Sequence, residues 1–364
     1  MVSSSAASDV YKRQGLGRLN KPQRPGVQML LTQAGVQPGQ VDAITIGFVL
    51  GPRLNAAGRL ESALAAYELL VTDDIFRAGQ LAQQLDSQNR ERQALTQATV
   101  EQARQVILED AVSQPLYLIA KPSFNTGIVG LVSSRLTEEF YRPTLVAQRE
   151  ETYTKGSARS IPEFHITQAL DECADLLERY GGHSAAAGFT VKNEHLPELK
   201  ARLLAIARRE LDGVDLVPTL EIDGKLNLRG IHRRRVEDLL TARAAGRPII
   251  DETNVGLEIM DGLEQLRPFG EGNPVPVFAS EKLEVKGKRP VGADGDHLKL
   301  VLHDGKQIWD AIAFRMGGWH DNLPTHVDVA YSLETNEWNG RQRLQLNVKD
   351  IKPSESKLTE PVEE

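Results

Sequence analysis

Apolar residues recur at helical spacing through the first third of the chain and at strand spacing through the last third. From Gly15 to about Thr72 the pattern predicts helices joined by short loops. Pro25-Gly26 opens one that runs through Val27, Leu30 and Leu31, and Pro38-Gly39 punctuates it. Asp73 to Asp110 predicts one long polar helix with a narrow stripe of Ile75, Leu81, Leu85, Leu95, Val100 and Ile107 and a charged centre at Asn89-Arg90-Glu91-Arg92. A lone helix of this length bridges domains more often than it binds a ligand. Between 111 and 212 a strand at Pro115 to Ala120, a glycine-rich turn opening a helix at Gly127, and a strand at Arg142 to Ala147 compose an α/β unit.

The same unit continues through Lys155 to Thr190. This stretch predicts a strand with a polar exit at Gly156, Ser157, Arg159 and Ser160, then a helix of about five turns. Ile166, Leu170, Cys173, Leu176 and Leu177 form its apolar stripe, and Gly181 and Gly182 are expected as its left-handed cap. After Asp212 the texture changes. Leu220 to Asp223, Lys282 to Val285, His297 to Leu302, Gln307 to Phe314, Val327 to Leu333 and Arg343 to Val348 alternate like half-buried strands, with Asn339-Gly340 as a two-residue hairpin turn. With one helical insert at Val236 to Ala244, residues 213–352 fit a small barrel of the OB type. Residues 1–14 show no periodicity and read as a disordered or artefactual leader, and 353–364 as a disordered acidic tail.

The chemistry these elements offer is anion binding. Arg159, Ser157, Ser160 and His183, with the amides of Gly181 and Gly182, form a phosphate or nucleotide clamp in which the small run Ala185 to Gly188 lets a backbone approach closely. A cap with a satisfied histidine is the plainer reading of Gly-Gly-His. In Gly51-Pro52-Arg53-Leu54-Asn55-Ala56-Ala57-Gly58-Arg59-Leu60, Arg53 and Arg59 stand six apart among small residues. A loop there would aim two guanidinium forks at one anion, and a helix start with surface arginines is the other reading. In the barrel Arg229, Arg233, Arg234 and Arg235 cluster, as do Lys282, Lys286, Lys288 and Arg289. Trp309, Trp338 and Tyr331 are the aromatic side chains that could stack on bases. Each charge taken singly is more readily read as a solvated face, and Trp309 as core.

Composition narrows the setting. The 364 residues carry a net charge of −7, so any nucleic-acid binding must come from a local basic face and not from the global field. Apolar (40%) and charged (26%) content are those of a soluble protein, and no apolar run is long enough to span a membrane. The single cysteine, Cys173, excludes disulfides and cysteine-based zinc sites within the chain, and a cytoplasmic setting is expected.

Six stretches in order, GPRLNAAGRL at 51–60, NRERQ at 89–93, GIVGLVSSRL at 127–136, KGSARSIPEF at 155–164, GGHSAAAG at 181–188 and LRPFGEGNPVPVF at 266–278, resemble the RecJ family. These are bacterial single-stranded-DNA-specific 5′→3′ exonucleases of the DHH phosphoesterase superfamily. The resemblance runs from about residue 15 to 352. It implies an α/β chain with a remnant of a DHH domain at 15–72, a connecting helix at 73–110, a DHH-associated α/β domain at 111–212 and an OB-fold domain at 213–352. It further implies that Arg53 and Arg59 reach DNA phosphates, that Ser157, Arg159 and Ser160 hold the 5′ phosphate or its neighbouring backbone, and that His183 with Gly181 and Gly182 faces the scissile phosphate. Arg233, Arg234, Arg235, Lys286, Lys288 and Trp338 would track the single strand. LRPFGEGNPVPVF is expected to be a bent structural linker into the barrel.

The chain departs from the family at the metal motifs. Members hold two manganese or magnesium ions through the aspartates and histidines of the DHH domain, and no His-His pair and no Asp-x-Asp in that context occur here. Metal ligands are therefore expected to be none, and the chain to read as the C-terminal part of such an enzyme, inactive by itself. A stand-alone single-strand binding module and a DHH-type oligonucleotide phosphoesterase are the alternatives. Fourteen unmatched residues joined to mid-domain sequence favour truncation over the first, and the barrel argues against the second. The implied partners are single-stranded DNA, single-strand binding protein and a helicase, with the chain acting as a monomer. Apolar surface is expected to lie exposed around Ile44 to Leu50.

Overall fold

The structure is a computed structural model that describes residues 3–354, apart from 38, 61, 111–113, 246–254, 271 and 293. The side chains of 3–10, 60, 255, 337 and 338 lie outside the described residues. The chain divides into two compact units, Met1–Pro218 and Thr219–Glu364.

The first unit opens with the helices α1 (Ser3–Leu19), α2 (Pro25–Gln33), α3 (Gly51–Leu60), which a π-helical stretch at Thr45–Leu50 leads into, and α4 (Leu64–Val71), before the 35-residue α5 (Ile75–Glu109). Asp74 starts α5 by accepting the Phe76 and Arg77 amides at 2.8 and 3.3 Å, so two of the donors orphaned at a helix start are satisfied. At 1.5 Å per residue α5 is about 50 Å long. It serves two cores. Leu81 and Leu85 pack with Leu30, Leu31, Leu50 and Leu69, and Val100, Ala103 and Ile107 pack with the α/β half of the unit.

That half follows as β1 (Tyr117–Lys121), α6 (Val129–Phe140), β2 (Thr144–Arg149), β3 (Tyr153–Arg159), α7 (Ile166–Asp171), β4 (Leu177–Gly182), β5 (Ala186–Lys192) and α8 (Leu196–Glu210). The sheet order is β1-β2-β3-β5-β4, with β1 and β2 parallel and the remaining pairs antiparallel. One face carries Leu118, Leu145, Ala147, Ala158, Ala187, Phe189 and Val191 and is closed by α7 and α8. The other face is closed over Tyr117, Ile119 and Val146 by α5 and α6.

The second unit comprises β6 (Gly224–Lys225), α9 (Arg233–Ala244), α10 (Val255–Gln265), β7 (Phe278–Val291), β8 (His297–His303), β9 (Ile308–Ala313), β10 (His326–Trp338) and β11 (Arg341–Pro353). β7, β8, β9, β11 and β10 pair in that order, and β10 returns to pair with β7, closing a five-stranded barrel around Trp309, Tyr331, Leu298, Leu300, Leu302 and Leu346. Asn339 and Gly340 turn the β10–β11 hairpin with φ of 51° and 72°, the mirror-image turn that matches strand twist.

Several sequence expectations are corrected. The five-turn helix after Pro162 is only α7 with a 3₁₀ turn at Ala174–Leu176. Its stripe is inward as expected (Ile166, Leu170 and Cys173 are fully buried), but from Leu177 the chain gains a ladder by pairing with β5. Gly181 and Gly182 are thus strand residues and not a helix cap. Gly51–Leu60 is helical, not a loop, and Ser3–Leu19 is helical where a leader without regular structure was expected. Leu220 to Asp223 forms no strand: Leu220 and Ile222 are half-exposed, and pairing begins at Gly224. Helix α9 starts at Arg233, and α10, with Ile259, Met260 and Leu263 at helical spacing, is a helix that sequence reasoning missed. The expected tail lies outside the described residues from 355 on.

Candidate phosphate-binding face

One stretch of the five-stranded sheet lies open beyond the first turn of α6. Because side chains alternate along a strand, Lys155, Ser157 and Arg159 of β3 share a face with their register partners Thr190, Gly188 and Ala186 of β5, and with Gly181 and Arg179 of β4. An open hollow of about 470 Å³ lies on this face, bordered by Thr126, Val129, Lys155, Ser157, Arg179 and Thr190. Glu150 also borders it, tied to Lys155 at 2.9 Å. Gly188 has only one distant backbone neighbour near its missing side chain and Gly181 has none, so the floor is bare backbone.

Arg159 crosses the rim of this floor. Its Nη1 donates to Ser157 Oγ and to the Ala158 carbonyl, both at 2.8 Å. Its Nη2 and Ser157 Oγ each stand 3.2 Å from where a Cβ on Gly130 would sit, so the first turn of α6 lies against them because Gly130 has no side chain. Arg59 reaches the same turn, donating to the Gly127 carbonyl at 3.2 Å. Burial, and then the neighbouring Arg59 charge, hold the Arg159 guanidinium below its ordinary value. Burial and the charges of Arg59 and Arg135 do the same to Arg92 of α5. Arg159, Arg59, Arg92 and Arg135 thus form a cluster of like charges, with Arg59 bonded at the start of α6 and Arg135 bonded to α5.

Among the described residues the hydrogen bonds of these four guanidinium groups go to neutral oxygens. Arg92 donates to Asn89 Oδ1 at 2.9 Å and Arg135 to Gln97 Oε1 at 2.9 Å. Elsewhere in the unit Arg53, Arg77, Arg104, Arg202 and Arg209 all hold carboxylates within 3 Å. Like charges left together without a counter-ion cost free energy unless a ligand supplies the anion.

Of the residues singled out from sequence, the structure brings together Arg59, Ser157, Arg159 and Gly181. Arg53 stands apart, bound by Asp86 at 2.9 Å and the Val49 carbonyl at 2.8 Å. Ser160 is consumed internally, its Oγ donating to the Phe164 carbonyl at 2.7 Å. Gly182 is a packing position, where a Cβ would come within 2.1 Å of the Ala186 carbonyl oxygen. His183 heads the β4–β5 connection. Its amide donates to Ala186 O at 2.8 Å, its carbonyl accepts from Thr167 Oγ1 at 2.7 Å, and its exposed imidazole has no recorded hydrogen-bond partner.

In the barrel the expected basic cluster divides. Arg233 is structural: it pairs with Glu237 at 2.8 Å and Asp310 at 2.7 Å, and lies over the Trp309 ring at 5.9 Å. Arg234 and Arg235 are exposed. Lys286 pairs with Glu284 at 2.6 Å, while Lys288 and Arg289 are exposed. Trp309 and Tyr331 are buried and cannot stack on a base: Trp309 donates to Asp304 at 2.9 Å and Tyr331 shares a hydrogen bond with Ser280 at 2.8 Å. Trp338 sits opposite Arg341, and its side chain lies outside the described residues. Phe314, half-exposed against His297 at 5.2 Å, is an aromatic surface that sequence reasoning missed. In LRPFGEGNPVPVF, Asn273 donates to the Leu266 and Pro268 carbonyls at 2.8 and 3.1 Å, a purely internal use.

Arg92 and Arg135 were also missed. A usable signal existed for Arg59 and Arg92, since neither has an acidic residue three or four positions away. Arg135 has Glu138 and Glu139 at those positions, but Glu139 goes to Arg104 at 2.6 Å. Among the described residues no three His, Cys, Asp or Glu side chains are grouped so as to hold a metal ion, and the guanidinium cluster would repel a divalent cation. The residues of this face do not fit a Mn2+ or Mg2+ centre.

Comparison with known proteins identifies the domains. Residues 113–211 match the DHHA1 domain family and 249–350 the RecJ OB domain family. The chain is 34% identical over 348 residues to the single-stranded-DNA-specific exonuclease RecJ of Bacillus subtilis, covering 94% of this chain and 41% of that protein. It is 30% identical to the RecJ of Salmonella typhimurium, covering 97% of this chain and 59% of the relative. The crystal structure of Thermus thermophilus RecJ in complex with Mn2+ superposes with a TM-score of 0.75 at 30% identity, over 94% of this chain and 46% of that one, and a Mg2+ complex superposes equally well. The chain spans about half the length of the curated relatives it matches. No helix among the described residues is long and apolar enough to cross a membrane. The chain thus carries a DHHA1 domain and a RecJ OB domain and is similar over nearly its whole length to the C-terminal part of RecJ exonucleases.

Proposed function

We propose that this chain supplies the end-gripping and strand-binding half of a single-stranded-DNA-specific 5′→3′ exonuclease, with the metal-dependent hydrolysis provided by DHH-type sequence that it does not contain. The observation that carries this reading is the cluster of guanidinium groups hydrogen-bonded to neutral oxygens beside a glycine floor. Phosphate oxygens are the anions such forks and bare amides bind best. Ser157, Arg159 and Arg59 take the 5′ phosphate, and His183 and Gly181 face the backbone beyond it. The barrel follows the strand with Lys288, Arg289, Arg234 and Phe314. The RecJ resemblance further supports a cytoplasmic monomer that meets single-strand binding protein and a helicase during DNA repair and recombination.

Fluorescence anisotropy with a labelled single strand in manganese, with a duplex as control, tests this. Binding is expected to prefer the single strand and its 5′-phosphorylated form, without cleavage. Arg159→Ala should remove the 5′-phosphate preference, about a tenfold effect for one charge-assisted contact. Equal binding of 5′-phosphorylated and 5′-hydroxyl strands by the unaltered protein would refute end-gripping.

A further inference from the structure

Gly127 stands where the helical half of the first unit meets its α/β half, and its contacts there are with a residue of the phosphate face. No positive φ requires glycine at this position. What requires it is Arg59 near the end of α3: a Cβ on Gly127 would lie 2.0 Å from the Arg59 carbonyl oxygen and 3.0 Å from its carbonyl carbon. The Arg59 guanidinium turns back onto the same residue, its Nη1 donating to the Gly127 carbonyl at 3.2 Å. Arg59 is thus held at both ends, its main chain in the notch left by the missing side chain and its guanidinium on the carbonyl. Asn125 fixes the loop that carries Gly127. Its Oδ1 accepts the Gly127 amide at 2.7 Å, and its carbonyl accepts the Ile128 and Val129 amides at 3.0 and 3.2 Å. Three residues on, Gly130 receives Ser157 Oγ and Arg159 Nη2, each 3.2 Å from its own missing Cβ. Three residues span at most about 11 Å even when fully extended, so one short turn ties the Arg59 contact closely to the Ser157 and Arg159 contact.

We propose that Gly127 and Asn125 are positioning residues for 5′-phosphate recognition, the entry turn of α6 fixing the Arg59 guanidinium beside Ser157 and Arg159 before a ligand arrives. The inference rests on the end-gripping reading above and adds to it the residues that orient its second arginine. Neither residue needs to touch the phosphate. An arginine ordered in advance loses less freedom on binding, and the freedom of one long side chain corresponds to about a fivefold change in affinity. That change falls on the phosphorylated end, because a 5′-hydroxyl strand offers Arg59 no terminal phosphate to hold.

Fluorescence anisotropy on the full chain, with 5′-phosphorylated and 5′-hydroxyl forms of one labelled single strand, reads the ratio of the two affinities. The unaltered protein should prefer the phosphorylated strand about tenfold, and Arg59→Ala should remove most of that preference. Gly127→Ala should cut it to about twofold while changing 5′-hydroxyl affinity by less than about twofold. In the Arg59→Ala background Gly127→Ala should cost no further preference, since its influence passes through the Arg59 side chain. Asn125→Ala, which introduces no clash, should cut the preference about threefold, and it decides the matter if Gly127→Ala does not fold. A Gly127→Ala or Asn125→Ala variant that keeps the full preference, or that weakens both strands equally, would overturn the positioning role. So would a Gly127→Ala loss that adds to that of Arg59→Ala, and Gly127 would then be a packing position alone. Equal binding of the two strands by the unaltered protein would instead bring down the end-gripping reading, and this inference with it.

Discussion

Two adjacent glycines of β4 separate what the fold needs from what the ligand needs. At Gly182 a Cβ would stand 2.1 Å from the Ala186 carbonyl oxygen and 2.5 Å from the Ala187 Cα, both backbone atoms that no rotamer change can move. Ordinary carbon contacts begin near 3.5 Å, so Gly182→Ala must part the β4–β5 hairpin by roughly 1 Å. The Ala186 carbonyl also accepts the His183 amide at 2.8 Å, and that bond, worth about 1 kcal/mol, goes with it. Overpacking adds about 1–3 kcal/mol, and the reduced freedom of the unfolded chain returns about 0.5 kcal/mol. A net loss of about 2 kcal/mol follows. For the unit Met1–Pro218, at roughly 2.1 cal/mol/K per residue, that lowers Tm by about 4 °C.

Gly181 has nothing within 4 Å of its missing Cβ and no positive φ. Gly181→Ala should therefore leave Tm within about 1 °C, or raise it slightly. Its methyl group would stand on the open floor and should weaken binding of a 5′-phosphorylated single strand about fivefold. Differential scanning calorimetry paired with anisotropy reads both effects. An unchanged Tm for Gly182→Ala would refute the close-approach argument. A Gly181→Ala variant as destabilised as Gly182→Ala would show that the floor is bare for packing and not for a ligand.

Two further predictions test the internal use of arginines. Arg233→Ala should destabilise the barrel by about 3 kcal/mol, since it strands Glu237 and Asp310 beside Trp309, whereas Arg234→Ala should change it by less than about 0.5 kcal/mol; urea unfolding giving equal midpoints would return Arg233 to the DNA-binding surface. Burial alone would raise the pKa of Asp86, but the hydrogen bond from Gln33 and the charges of Arg53 and Arg90 outweigh it and hold the carboxyl below its ordinary value. A depressed carboxyl stabilises the fold above its unfolded pKa of about 3.9 and ceases to do so as pH falls through the lower folded value. Asp86→Asn should thus lower Tm at neutral pH and flatten its fall below about pH 4, and parallel Tm curves for the two proteins would refute the assignment.

The strands and the long helix were legible because their apolar positions repeat over many residues. Even the misread segment after Pro162 had its inward stripe right, with Ile166, Leu170, Cys173 and Leu176 all buried. What periodicity could not show is that Leu177–Gly182 gains more by pairing with β5, a partner known only once the sheet is formed. The site divides along the same line. Ser157 and Arg159 were legible as a polar strand exit, because residues two apart on a strand share a face.

Whether an arginine is available to a ligand depends on its counter-charge, and that partner is usually remote in sequence. Asp86, which holds Arg53, is 33 residues away, and Asp310, which holds Arg233, is 77 away. No local pattern could set those two apart from Arg159. Glu139 shows the converse, since it is four residues from Arg135 yet pairs with Arg104, 35 residues away. On the proposed reading, the arginines open to a ligand are those without an acid among the described residues, and reading them needs both the sequence, which places the charge, and the tertiary structure, which disposes of the carboxylates.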